Sequence, residues 1–193
     1  HEDGKTIVRL ETSWQAGSGF THPAEMSLEQ ITAILAGLRV QSRDDIMPRI
    51  LTGSPEGVRA FGPGDIADLA PALRKAFESA HENEVVTFYK RISDASAGLG
   101  ITSGGMLKQK HLLYVYLANY RTKPSDAMNI STTYAIDPVD TPLLSLRPWA
   151  FRIGFDMEEA IQPFERQLWR WEGVPASQVL VIRLEPLKPL NVH

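Results

Sequence analysis

Leu112-Leu113-Tyr114-Val115-Tyr116-Leu117-Ala118-Asn119 is the stretch that decides the fold. It has the length of a buried strand and falls far short of the ~20 apolar residues that a membrane helix needs. In an extended chain Leu112, Tyr114, Tyr116 and Ala118 point one way, and Leu113, Val115, Leu117 and Asn119 point the other. With so little polarity on either side, both faces are covered or one is an aromatic surface.

On its N-terminal side, Lys108-Gln109-Lys110 is a short polar turn that joins a strand over His111–Arg121 to one over Leu99–Lys108. Before these, Glu84–Ile92 is rich in Val, Phe, Tyr and Thr, as a strand should be. Glu84–Arg121 therefore reads as an antiparallel meander. Further strands are expected at Lys5–Thr12, Ile130–Ile136, Leu143–Phe155 (with Pro148 suiting an edge or bulge) and Gln178–Glu185.

Helical periodicity lies on either side of the strands. Ser27-Leu28-Glu29-Gln30 has the form of a capping box, and Met26 and Ile31 stand at the hydrophobic-staple positions. Leu28, Ile31, Leu35 and Leu38 then make one apolar face. After a polar stretch, Gln41–Gly57, a second stripe runs through Ile66, Leu69, Leu73 and Phe77, and Gly64-Asp65 can cap its start. Pro71 is expected in the first turn of this helix, after a short helical turn, because an interior proline removes a helix bond. A third helix is expected over Asp156–Trp171, with Asp156 and Glu159 as cap and reciprocal partner and Gly173 as the stop.

The resulting fold class is α+β: a mainly antiparallel sheet with a meander in the middle, two N-terminal helices and one C-terminal helix packed on it. At 193 residues the chain is expected to be a single domain, 1–193, with a flexible N-terminal lead-in and a Pro-rich C-terminal tail. A chain of this length buries roughly 70% of its unfolded surface and needs no staple.

Composition narrows the chemistry. The net charge of −3 and the lack of a basic stripe argue against nucleic acid. There is no cysteine, which excludes disulfides, thiolate catalysis and Cys-containing zinc sites. No Gly-x-Ser-x-Gly elbow, P-loop ending, dinucleotide fingerprint or helical His–His metal spacing occurs. Two local contexts resemble catalytic ones. Ser103 precedes Gly104-Gly105, a setting that can expose a hydroxyl or simply permit a bulge. His81 sits in the polar cluster His81-Glu82-Asn83-Glu84, where a helix ends and a cation meets the negative end of its dipole. Paired carboxylates at Asp44-Asp45, Glu158-Glu159 and around Asp137–Asp140 match no EF-hand loop and read as solvated charge. No cofactor, metal or catalytic residue is assigned.

The aromatic residues are more suggestive. Trp169-Arg170-Trp171, close to Arg166, combines the types enriched at interaction hot spots. On a helix the two indoles project about 200° apart, so they either stitch the helix onto the sheet or leave one ring exposed. With Tyr114 and Tyr116 these three form the expected binding residues, and Trp149 and Tyr120 add to the aromatic set.

Gly100-Ile101-Thr102-Ser103-Gly104-Gly105-Met106-Leu107, followed by Leu112–Asn119-Tyr120-Arg121, resembles small bacterial envelope proteins of unassigned activity, many of them lipoproteins. The shared pattern is a strand with a Thr-Ser-Gly centre, a short basic turn and an apolar strand ending in Asn-Tyr-Arg. Helix one followed by a Pro-containing second helix is also similar, and about half the chain is covered. The resemblance implies a compartment, periplasmic or envelope-anchored, with any lipid-bearing Cys upstream of His1, and it assigns no functional residues. The start at His1 with a polar lead-in is what a mature exported protein would show, and equally what a tag remnant or a cytosolic structural domain cut from a longer protein would leave. The expected function is therefore a non-catalytic envelope accessory or binding domain, whose partner is another envelope protein or a surface polymer. The oligomeric state stays open. A different class, a hydrolase or ligand-processing enzyme, requires Ser103, His81 or a loop carboxylate to converge in one pocket.

Overall fold

The computed structural model describes residues 6–12, 19–42, 57–94, 98–123, 139–164 and 175–185. Among these, two helices, α1 (Leu28–Gly37) and α2 (Pro63–Ser79), accompany nine strands: β1 (Thr6–Thr12), β2 (Leu38–Ser42), β3 (Val58–Arg59), β4 (Glu84–Asp94), β5 (Gly98–Gln109), β6 (Leu112–Thr122), β7 (Phe151–Phe155), β8 (Ile161–Gln162) and β9 (Val179–Arg183). Six strands form one sheet in the order β1-β4-β5-β6-β9-β8. A second sheet has the order β3-β2-β7, and every paired neighbour in both is antiparallel.

The α+β class and the dominance of antiparallel sheet stand as expected; the finer architecture does not. The expected arrangement of three helices on a sheet with a central meander is not matched: β4, β5 and β6 belong to a six-stranded sheet that β1 and β9 extend on either side, pairing the backbone N–H and C=O groups of both edges. The C-terminal helix does not begin at Asp156. A single 3₁₀ turn at Glu158–Ala160 leads into β8, where Ile161 pairs with Ile182. Helical spacing of Ile161 and Phe164 yields here to strand pairing on an open sheet edge. Of the expected strand at Leu143–Phe155 only Phe151–Phe155 is extended. The expected strand at Ile130–Ile136 lies outside the described residues.

The capping box forms: the Gln30 amide N–H donates to Ser27 Oγ at 3.1 Å, and the Ser27 N–H donates to Gln30 Oε1 at 3.0 Å. Helix α1 buries Ile31, Ile34 and Leu35, each worth roughly 1.5–3 kcal/mol of transfer free energy. It ends earlier than its apolar stripe. Gly37 is followed directly by β2, and a Cβ there would stand 2.5 Å from the Phe155 ring, so glycine lets β7 close onto the helix end. In α2 the helix starts at Pro63 and runs through Pro71. The proline is tolerated because Pro71 and Ala67, whose carbonyl loses its partner, both face solvent.

Strand β6 is covered on both faces. Leu113, Val115 and Leu117 join the main core with Ile34, Leu69, Phe77 and Phe88, between the large sheet and the helices. Tyr114, Tyr116 and Ala118 join a second cluster with Val85, Leu107 and Val181. Gly104 permits the close approach of β5 to β6, since a Cβ would lie 2.0 Å from the Tyr116 carbonyl oxygen. The register slips on either side of Ser103, so the Gly-containing segment carries the irregularity that its sequence allows.

Candidate functional site

The helix-to-strand switch at Gly37 sets up the small sheet. In β2 Leu38 and Val40 are buried, so Arg39 and Gln41 point outward. In β7 Phe151, Ile153 and Phe155 are buried, so Arg152 and Gly154 share that outward face. The register places Arg39 opposite Gly154 on one side and opposite Arg59 on the other, and Gln41 opposite Arg152. Three arginines from three separate segments thus come to one surface. Like charges directly opposite across a strand pair, as Arg39 and Arg59 are, disfavour the pairing.

One of the three is neutralised. The Arg39 guanidinium donates from both Nε and Nη2 to the Asp156 carboxylate, with Nη2 to Oδ2 at 2.6 Å, in the fork-to-fork geometry of strong arginine–carboxylate pairs. The Asp156 N–H donates to the Gly37 carbonyl at 3.0 Å, which fixes the acid beside β2. Asp156 is therefore an ion-pair partner and not the helix cap expected from sequence. Among the described residues Arg59 and Arg152 make no ion pair, and both are exposed. The Tyr120 hydroxyl donates to the Arg59 carbonyl at 3.4 Å and its ring packs 6.0 Å from Phe151, tying β3 to the start of β7. Burial pushes the Tyr120 phenol above its ordinary pKa, so it remains a donor.

Arg39, Gln41, Arg152, Gly154, Asp156 and Glu158 line a groove of about 550 Å³, within the usual size range of ligand sites, and Arg59 stands on the same sheet face outside its walls. Its apolar part comes from Phe155, Ile161 and Pro163. A Cβ on Gly154 would meet nothing within 4 Å, so the floor is open there. A second hollow of about 700 Å³ lies beside α2, but its arginine, Arg74, is already paired with Glu78 at 2.9 Å.

The residues expected from sequence are placed elsewhere. Trp169, Arg170 and Trp171 lie outside the described residues. Tyr114 and Tyr116 are 5% and 1% exposed inside the second cluster, so neither ring presents a surface on this chain. Burial raises the Tyr116 phenol, consistent with that interior position. Trp149 is half exposed and holds φ +70°, a left-handed conformation that is strained for a bulky residue, three positions before Arg152.

The structure does not bring the catalytic candidates together. Ser103 is fully buried, and its hydroxyl accepts from Asn119 Nδ2 at 2.9 Å. Asn119 also donates to the Leu144 carbonyl and accepts the Leu146 N–H, so the cluster anchors a loop. Ser103 stands opposite Tyr89, five residues along β4 from Glu84, or about 17 Å at strand rise. His81 is at that far end, where its N–H donates to Glu84 Oε2 at 2.8 Å. Asp140 is an exposed turn residue, and Asp44, Asp45 and Asp137 lie outside the described residues. Among the described residues no three of His, Asp and Glu are grouped to hold a metal. No helix among them is long and apolar enough to cross a membrane.

The arginine face carries no sequence motif. Its signal was the alternation of Leu38 and Val40 against Arg39 and Gln41, and of Phe151, Ile153 and Phe155 against Arg152. Comparison with known proteins adds no relative: no family model, no curated protein and no solved structure matches the chain.

Proposed function

We propose that this chain is a non-catalytic accessory domain of the bacterial cell envelope, periplasmic or lipid-anchored, that holds a protein or surface-polymer partner in the groove of its small sheet. The observation that carries the binding reading is the groove itself, where Arg152 is exposed without an ion-pair partner among the described residues beside the pinned Arg39–Asp156 pair. Arginine forks on a preformed surface suit recognition more than chemistry, because the guanidinium stays protonated and acts by positioning and charge. The envelope assignment is supported by the resemblance at Gly100–Leu107 and Leu112–Arg121. Trp169, Arg170 and Trp171 remain part of the proposed contact set through their composition.

The test is in-host photocrosslinking of the full-length gene product, combined with fractionation and metabolic lipid labelling. A crosslinker at Gln41, inside the groove, is expected to give a discrete adduct in the envelope fraction, while one at exposed Glu82 gives none. A cytosolic product, or equal adducts at both positions, would overturn the proposal.

A further inference from the structure

The charge pattern of the groove narrows what it holds, and this step rests on the binding reading above. The chain as a whole is acidic, at −3, yet the outward face of the small sheet gathers Arg39, Arg59 and Arg152. Arg39 and Arg59 oppose each other directly, and Asp156 offsets the charge of Arg39 alone, which leaves that of Arg59 without an acid among the described residues. Arg39 is already oriented by Asp156, so its fork is fixed before anything binds. Arg152 keeps its donors uncommitted to any acid among the described residues.

The same walls exclude a dense polyanion. Asp156 and Glu158 line the groove with the arginines, so closely spaced phosphates would meet negative charge along with positive. Isolated carboxylates separated by apolar groups avoid that clash. They also match the apolar contributions of Phe155, Ile161 and Pro163 and the open floor at Gly154. The Arg39–Asp156 pair shows within the protein how a carboxylate sits on this surface.

We infer that the groove of the small sheet is a docking site for an extended segment of a partner protein in which carboxylate side chains alternate with apolar ones. Arg152 engages a carboxylate inside the groove, Arg59 stands on the same sheet face outside the groove walls where a further carboxylate of the segment can reach it, and Arg39, held by Asp156, acts as a positioning residue.

The test titrates the full chain with three probes: a short peptide of alternating Asp and Leu, its Asn–Leu counterpart, and polyphosphate. The Asp–Leu peptide is expected to bind, and Arg152→Gln to weaken it by about tenfold, the effect of one charge-assisted hydrogen bond. Arg74→Gln removes the same charge beside the other hollow and is expected to change affinity less than about twofold. Circular dichroism confirms that both variants fold. Equal binding of the Asn–Leu peptide, preference for polyphosphate, or equal losses in the two variants would overturn the inference. If no peptide binds while the Gln41 adduct persists in the host, acidic-segment recognition fails and the binding reading stands; loss of both removes the reading itself.

Discussion

In the large sheet Lys90 is buried and fully engaged: its ammonium donates to Asp68 Oδ2 at 2.5 Å and to Thr6 Oγ1 at 3.0 Å, with Asp65 Oδ1 at 3.9 Å. On the small sheet Arg59 and Arg152 face solvent, and among the described residues no acid pairs with them. The first arrangement fastens α2 to β1 and β4, and charge there serves cohesion. The second leaves charge exposed at the surface. The contrast sets charge used for cohesion in the large sheet against the proposed recognition surface of the small one.

The glycines provide the sharpest way to break this contrast. Gly104→Ala puts a Cβ 2.0 Å from the Tyr116 carbonyl oxygen in the middle of the large sheet, and is expected to destabilise by about 3 kcal/mol, read from denaturant midpoints. An unchanged midpoint would mean that β5 and β6 do not pack this closely. Next, Lys90→Ala leaves the acids of α2 without their cation and opens space beneath the helix, at an expected cost of about 2–4 kcal/mol. The same truncation at Arg152 should cost no more than about 0.5 kcal/mol; equal costs would erase the division between the sheets. The smallest effect is at Gly154, where an added Cβ meets nothing. Gly154→Ala is expected to leave stability within about 0.5 kcal/mol, and a large loss by the same assay would show that the floor of the groove is not open.

What was legible in the sequence follows the same division. The pattern of Glu84–Arg121 gave three strands of the large sheet to within two residues at each end, because long apolar runs with β-branched and aromatic residues leave few alternatives. The Ser27–Gln30 box marked the start of α1, since both hydrogen bonds are local. Its end was not legible: Leu38 continues the helical stripe in sequence but opens β2, and what decides is contact with Phe155, more than a hundred residues away. Asp156 looked like a cap because its local context fits one; its partner, Arg39, is 117 positions distant. The groove was invisible for the same reason. Arg39, Arg59 and Arg152 belong to no motif, and only strand register assembles them. Tyr114 and Tyr116 show the converse, an aromatic alternation that read as a possible surface and was consumed by a second core.

The most direct test of the central claim is to follow the arginine Nε–Hε resonances of the isotopically labelled full chain during titration with the Asp–Leu peptide. The account predicts that the Arg152 signal shifts saturably, that Arg39 moves little because Asp156 already holds it, and that Arg74 stays in place. A stationary Arg152 signal, or shifts of equal size at Arg152 and Arg74, would contradict it.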